Sequence, residues 1–403
     1  MHPARVNTFR EKTDLSEPVR EEFLVFGNPK IEEPEIEEVV ASMRSGWLGT
    51  GPKVKKFEQM FLEYKGSKYA IAVNSCTAAL HLSMLAVGIK PGDEVIVPTM
   101  TFAATANAVI HAGGIPVLVD CEKDTMNIDP KEIVKAITAK TRAIIPVHFA
   151  GRPCDMDAIM QIAKSHKLKV IEDCAHAIET EYHGKKVGTL GDLGCYSFYV
   201  TKNIVTGEGG MIITNNEDYA NQIKILALHG MSKDAWKRFS DEGYKHYQIV
   251  CAGFKYNMMD IQAAIGIHQL KRITAYWRRR KEIWEKYNVH FAGLPMALPT
   301  LVGQNEVHAY HLYTVLLKVE QLRITRDIFL EEMAKQNIGI GVHYIALHLH
   351  PYYQNTYGYK KGDFQCAEYI SDRTVSLPLS AKLSDKDVND VIAAVIRIIN
   401  YYS

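Results

Sequence analysis

"CYSFYVTKNIVTGEGGMIIT", residues 195–214, sets two apolar, sheet-like runs around one lysine, Lys202, and a Gly-Glu-Gly-Gly turn. Lysine is rarely buried, so Lys202 by itself reads as a surface-loop residue. Its neighbours along the chain decide otherwise. Short apolar runs, most of them rich in Val and Ile, recur at 69–73, 94–98, 115–120, 141–149, 168–174, 193–199 and 209–214. They lack clean alternation, as strands covered on both faces do. The intervening segments 77–88, 101–112, 130–138 and 155–166 read as helices. Repeated β-α-β order predicts a mostly parallel seven-stranded sheet with helices on both sides. In such α/β sheets ligands bind beyond the carboxyl ends of the strands.

The rest of the chain completes the frame. Residues 260–294 predict a long, charged helical stretch leading to a smaller C-terminal α+β domain. Strands are expected there at 310–318 and 340–347, and helices at 325–336 and 384–400. The expected division is a polar extension over 1–22, a large domain over 23–270 and a small one over 271–403. Net charge is +1, from 47 basic and 46 acidic residues in a chain of 403. That balance gives no electrostatic footprint for nucleic acid or a membrane surface. The N-terminal stretch lacks the apolar core of a signal peptide, and no apolar run approaches transmembrane length. Seven cysteines show no CxxC and no framework spacing. They read as reduced packing residues of a cytoplasmic protein.

Several side chains converge on the strand ends. Asp173, in "VIEDCAHA", closes a strand where an unpaired carboxylate would be costly. It reads either as a helix N-cap or as a carboxylate facing a fixed cation, such as a protonated pyridine nitrogen. Ser75, Cys76 and Thr77 open a buried helix after a strand. Free N–H groups there, with two hydroxyls, make a phosphate site, although such residues are often plain caps. Ser197 adds a hydroxyl near the same ends. Phe102 follows another strand, where its ring could lie flat on a cofactor; alone, it reads as core packing. A phosphate site, a ring platform, a carboxylate and an amine together match pyridoxal 5'-phosphate. His343, His348 and His350 lie in one stretch, and the last two would share a face on a strand. No cysteine or acidic cluster accompanies them, so no metal site is expected.

Seven co-linear stretches carry a resemblance: "SGWLGTGPKVKKFE", "VNSCTAALHLSMLA", "PGDEVIVPTMTFAATANAV", "PVHFAGRPCDMDAI", "VIEDCAHAIET", the run 191–216 around Lys202, and "GFKYNMMDIQAAIGIHQL". Together they resemble the DegT/StrS family of sugar aminotransferases. The resemblance implies the fold-type I pyridoxal phosphate architecture, a homodimer with shared active sites, and transfer of the amino group of L-glutamate onto a nucleotide-linked ketosugar. It implies that Lys202 forms the Schiff base and shuttles protons, that Asp173 pairs with the pyridine nitrogen, and that His176 lies close to the cofactor. Ser197 and the Ser75–Thr77 turn would hold the phosphate, and Phe102 would lie over the ring. "GFKYNM" corresponds to a segment reaching across the dimer to the phosphate, which leaves Lys255 and Asn257 as the alternatives there. Trp47 and His343 are implied in substrate binding; Gly49 stands where a threonine is common.

Residues 338–353, 228–239 and "GFKYNM" are most similar to the branch acting on UDP-4-keto sugars, including the UDP-4-amino-4-deoxy-L-arabinose aminotransferase. Two rivals share the fold. A sugar dehydratase of this family typically carries histidine at the Lys202 position. A non-catalytic sugar-nucleotide sensor would have no need of both Lys202 and Asp173.

Overall fold

A computed structural model describes residues 15–232 and 247–403. Part of the 1–22 extension and residues 233–239 of the 228–239 stretch lie outside the described residues. The large sheet comprises β1 (Tyr69–Val73), β2 (Glu94–Pro98), β3 (Ile115–Val119), β4 (Thr141–Ile144), β5 (Lys169–Asp173), β8 (Leu193–Ser197) and β9 (Gly210–Thr214). The hairpin β6 (Glu181–Tyr182) and β7 (Lys185–Lys186) joins β11 (Glu306–Val307) in a minor sheet. Strand order in the large sheet is β1-β9-β8-β5-β4-β2-β3. Pairings from β3 through β8 are parallel; β9 runs antiparallel to both β8 and β1.

The period-2 geometry of a strand explains the two cores. Ile71, Val73, Val95 and Val97 face one side, where they meet Leu80, Leu82 and Met84 of α3 (Cys76–Ala86). Ala70, Ala72 and Ile96 face the other, against Phe57 and Phe61 of α2 (Pro52–Lys65), which follows α1 (Glu33–Ser45). Both faces are therefore apolar, as the uninterrupted Val and Ile runs predicted. The small C-terminal sheet is β10 (Met296–Ala297), β12 (Tyr313–Leu317) and β13 (Thr374–Leu377). It has its own core of Trp284, Tyr287, Phe291, Tyr313 and Val391, against which Leu15, Val19 and Leu24 also pack.

The helical stretch expected over 260–294 is built as two helices, Asp260–Lys271 and Ile273–Phe291. The break falls at Arg272, whose guanidinium is taken by Glu32, Glu35 and the Tyr276 hydroxyl while Ile273 turns into the core. Residues 340–347 are not a strand. Gly341 exchanges both backbone bonds with Ser376, but Leu347 N–H then goes to Thr99 O and the His343 carbonyl to the Thr374 hydroxyl. His348 is buried between Thr99 and Glu368, whereas His350 is exposed, so the two histidines do not share a face.

Asp260 fixes the loop carrying Trp47. Its carboxylate is fully buried and accepts N–H bonds from Gly51 at 2.8 Å, Lys53 at 3.0 Å and Val54 at 3.0 Å, the unsatisfied first amides of α2. Its own N–H binds Gly49 O. Replacing Asp260 by Ala leaves three donors unpaired, one of them fully buried, and should cost about 3 kcal/mol. A lowered denaturant midpoint checks this; an unchanged midpoint refutes it.

Candidate active site

Strands β1, β2, β5 and β8 point the same way, so their carboxyl ends form one edge. Asp173 ends β5, Ser197 ends β8, Ser75 follows β1 and Phe102 follows β2. The edge is also where β9 begins. Gly210 pairs with Val73 on one side and Ser197 on the other. A Cβ on Gly210 would lie 2.5 Å from the Ser75 carbonyl and 2.8 Å from the Cys76 nitrogen. Only glycine allows β9 this close to the turn.

Asp173 is 4 % exposed. Its Oδ2 accepts from the Thr105 hydroxyl at 2.8 Å and its Oδ1 from the Ala175 N–H at 3.1 Å. Burial pushes the carboxyl up from the usual range, opposed by those two bonds and by the charge of Lys202. Lys202 sits in the turn after β8, its N–H bonded to Tyr199 O. Desolvation lowers its ammonium from 10.5 to about 8, with Cys76 and Asp173 acting the other way. The amine is thus poised near neutrality opposite a buried acid.

The turn before α3 is capped. Ser75 accepts the Ala78 N–H at 3.1 Å. That leaves the Cys76 and Thr77 amides without intrahelical acceptors at the positive end of the helix dipole, where an anion would fit. Thr77 is exposed and Cys76 buried. The cap reading of Ser75 is thus seen directly, and it leaves room for an anion beside it.

Aromatic rings close the site from the C-terminal side. The Ala150 N–H donates to His176 Nδ1 at 3.3 Å, and His176 Nε2 lies 3.1 Å from the Tyr344 hydroxyl. Burial, then the Lys202 charge, holds His176 well below its usual range, so it is a neutral ring with its proton on Nε2. The His311 ring packs against it, tilted by 37°, at 4.4 Å between centroids. His343 is lowered to about 3 by burial and by Lys202, and its Nδ1 meets the Ser376 hydroxyl at 2.9 Å. Phe102 is not a core residue: it is 62 % exposed, its ring 6.1 Å from that of Tyr344. Trp47 is exposed, its indole N–H bonded to Thr50 O, its ring in the space a Cβ at Gly51 would need. Asn257 gives its amide to the Thr50 hydroxyl at 2.6 Å; Lys255 is exposed.

Thr105, Tyr344, His311 and Asn203 escaped the sequence reading. Thr105 stands one helical turn after Thr101, to which it is hydrogen-bonded, and that spacing was the available signal. Nothing local marks the other three.

The arrangement fits pyridoxal phosphate on its own terms: an anion turn, a buried acid short of a cation, and an amine of depressed pKa beside it. A model of the DegT/DnrJ/EryC1/StrS aminotransferase family matches residues 29–396. The chain belongs to that family. It is 53 % identical over 382 residues to the uncharacterized protein MJ1066 of Methanocaldococcus jannaschii, covering 95 % of this chain and 99 % of that one. It is 47 % identical over 381 residues to the spore coat polysaccharide biosynthesis protein SpsC of Bacillus subtilis, covering 94 % and 98 %. Among solved structures, the putative sugar aminotransferase Spr1654 of Streptococcus pneumoniae in its PMP-form superimposes with a TM-score of 0.87. The identity is 34 %, over 94 % of this chain and 98 % of that one. The same protein is known in a PLP-form. This DegT/StrS protein is therefore a pyridoxal phosphate-dependent sugar aminotransferase with an α/β fold.

The depressed Lys202 amine gives a pH test. A lowered pKa means more free amine at lower pH, so covalent capture of pyridoxal phosphate by the cofactor-free aminotransferase should rise through about pH 8 rather than through 10.5. Asp173 raises the Lys202 pKa, so Asp173→Asn should move the midpoint below about 8. Capture rates followed by absorbance across pH check both; a midpoint near that of free lysine contradicts the assignment.

Proposed function

We propose that this enzyme transfers the amino group of L-glutamate to C4 of a UDP-linked 4-ketosugar for a cell-surface polysaccharide, with Lys202 as the residue that carries the cofactor. The observation behind this reading is the pairing of a half-buried amine of lowered pKa with the buried Asp173 carboxylate at one strand edge. The substrate class follows the resemblance of "GFKYNM" and residues 338–353 to the UDP-4-keto sugar branch, exemplified by the UDP-4-amino-4-deoxy-L-arabinose aminotransferase. The destination follows the similarity to a spore coat polysaccharide biosynthesis protein.

Pyridoxal phosphate, when bound, supplies the aldehyde that carries the amino group and a ring that takes up the electron pair left on the substrate carbon. The chain's residues do the rest. Asp173 keeps a proton on the ring nitrogen, because its carboxylate gains a cation where burial would otherwise neutralise it. Lys202 Nζ, near neutrality, takes the α-proton of the donor and returns a proton to the acceptor carbon. The Cys76 and Thr77 amides, with the Ser75 and Ser197 hydroxyls, would hold the phosphate. Phe102 and the neutral His176 would contact the ring, and Trp47 and His343 would contact the sugar.

We assign the phosphate contact across the dimer to Lys255, a charged and exposed side chain, since Asn257 already gives one of its two amide N–H groups to Thr50. A homodimer is supported by the exposed Trp47, Leu48, Val200, Ile249, Val250 and Met259. The seven cysteines are free, which fits a reducing cytoplasm.

Lys202→Ala should abolish the borohydride-stable cofactor adduct and lower turnover at least about a thousandfold. Wild-type turnover in that variant would end the assignment and would revive a sensor reading of any residual ligand binding. The substrate is tested by offering the pyridoxamine-loaded enzyme UDP-, GDP- and dTDP-linked ketosugars. Return of the aldehyde absorbance with a UDP-4-ketosugar is expected. Return only with another nucleotide refutes the UDP assignment. A further variant, Lys255→Ala, should weaken cofactor retention about tenfold, as loss of a charge-assisted phosphate contact does; equal loss in Asn257→Ala alone would reverse our choice between the two.

A further inference from the structure

The turn bearing Lys202 has little backbone bonding of its own. The Lys202 N–H reaches Tyr199 O, and the next link back to β8 is Thr206 N–H to Phe198 O. Between them Ile204 and Val205 are buried, and one side chain supplies the polar anchor. Asn203 is buried, and its Nδ2 donates to Glu179 Oε2 at 2.7 Å and to Ala309 O at 2.9 Å. Its Oδ1 meets His311 Nδ1 at 2.9 Å. Two acceptors on one side fix which end of the amide is nitrogen, so His311 Nδ1 carries the proton and donates it.

Each partner belongs to a different part of the fold. Glu179 follows β5 and Asp173; its other oxygen is gripped by Arg280, buried in the helix Ile273–Phe291. Ala309 and His311 lead into β12 of the C-terminal sheet and are themselves tied to Ala150 and Gly151 by backbone bonds. His311 lies on His176, the ring assigned beside the cofactor. Both Asn203 N–H groups are consumed inside the protein, so its amide has no donor left for a ligand.

We propose that Asn203 is a positioning residue: it pins the main chain next to Lys202 so that Nζ stays opposite Asp173, and it ties that position to the C-terminal sheet through Ala309 and His311 and to the connecting helix through Glu179 and Arg280. The inference rests on the reading of Lys202 as the cofactor-bearing lysine. Releasing the turn lets Nζ reach solvent, which restores an ordinary lysine and misplaces it for proton transfer. A misplacement of this kind costs about ten- to a hundredfold in rate without weakening substrate binding equally.

The test begins with the wild-type enzyme, reduced with borohydride and mapped by mass spectrometry. An adduct on another lysine overturns the Lys202 reading and this inference with it. With the adduct at Lys202, Asn203→Ala is compared with wild type. The expected result is a kcat lower by about tenfold or more, a KM for the amino donor changed by less than about threefold, and a capture midpoint raised from about 8 toward 10.5. A lower melting temperature with unchanged midpoint and kcat makes Asn203 purely structural and overturns the proposal. Should Asn203→Ala fail to fold, His311→Ala cuts the same anchor from the other side. It should show the same upward shift, and a wild-type midpoint there overturns the proposal equally.

Discussion

Burying the Asp173 carboxylate at the end of β5 is costly unless a positive charge faces it, and the rest of the site answers that need. Two donors, Thr105 and Ala175, leave lone pairs uncommitted. The lysine on the neighbouring turn feels the acid but is itself pulled toward neutrality by desolvation. Neither group satisfies the other completely. A cationic ring nitrogen at Asp173 would satisfy the acid, and Lys202 would remain available as an amine.

The histidines matter because they add no charge. His176, His311 and His343 are all held below their usual range by burial, with Lys202 pushing the same way. A protonated imidazole here would compete with the ring nitrogen for Asp173 and repel the Lys202 ammonium. Kept neutral, the three rings offer directed hydrogen bonds and flat surfaces instead. The bond from Ala150 to His176 Nδ1 selects the tautomer, a detail that the backbone decides rather than the side chain's identity.

What was legible in the sequence follows from how local each cause is. The seven strands and most helices of the large sheet rest on runs of Val and Ile and on spacing, and these lie within a few residues of where the sequence reading put them. Asp173 and Lys202 stood out because a charge at the end of an apolar run is locally anomalous. The stretch 340–347 looked like a strand by composition, yet its backbone partners past Gly341 are Thr99 and Thr374, far away in sequence. The helix break at Arg272 depends on Glu32 and Glu35 from α1. Asn203 is invisible for the same reason: its three partners come from residues 179, 309 and 311. Even Phe102 was misjudged as core when read alone, since its neighbours, not its type, leave it exposed.

The neighbouring carboxylate shows what is unusual about Asp173. Glu172 precedes it on β5 and so faces the opposite side. It is fully buried, but it accepts from the Gly188, Leu190 and Gly191 amides and meets His148 Nε2 at 3.1 Å. Desolvation alone would raise it; His148 and those amides nevertheless hold it below the usual range. With Cys174 nearby, the trio has the ligand types of a metal centre. Yet His148 Nδ1 already accepts the Cys154 N–H, and the Glu172 oxygens are bound by backbone. That group is closed, and it braces the strand from behind. Asp173, on the same strand end with the same burial, is left open. A buried acid that the protein satisfies itself is architecture; one that it satisfies only in part is a place prepared for something else.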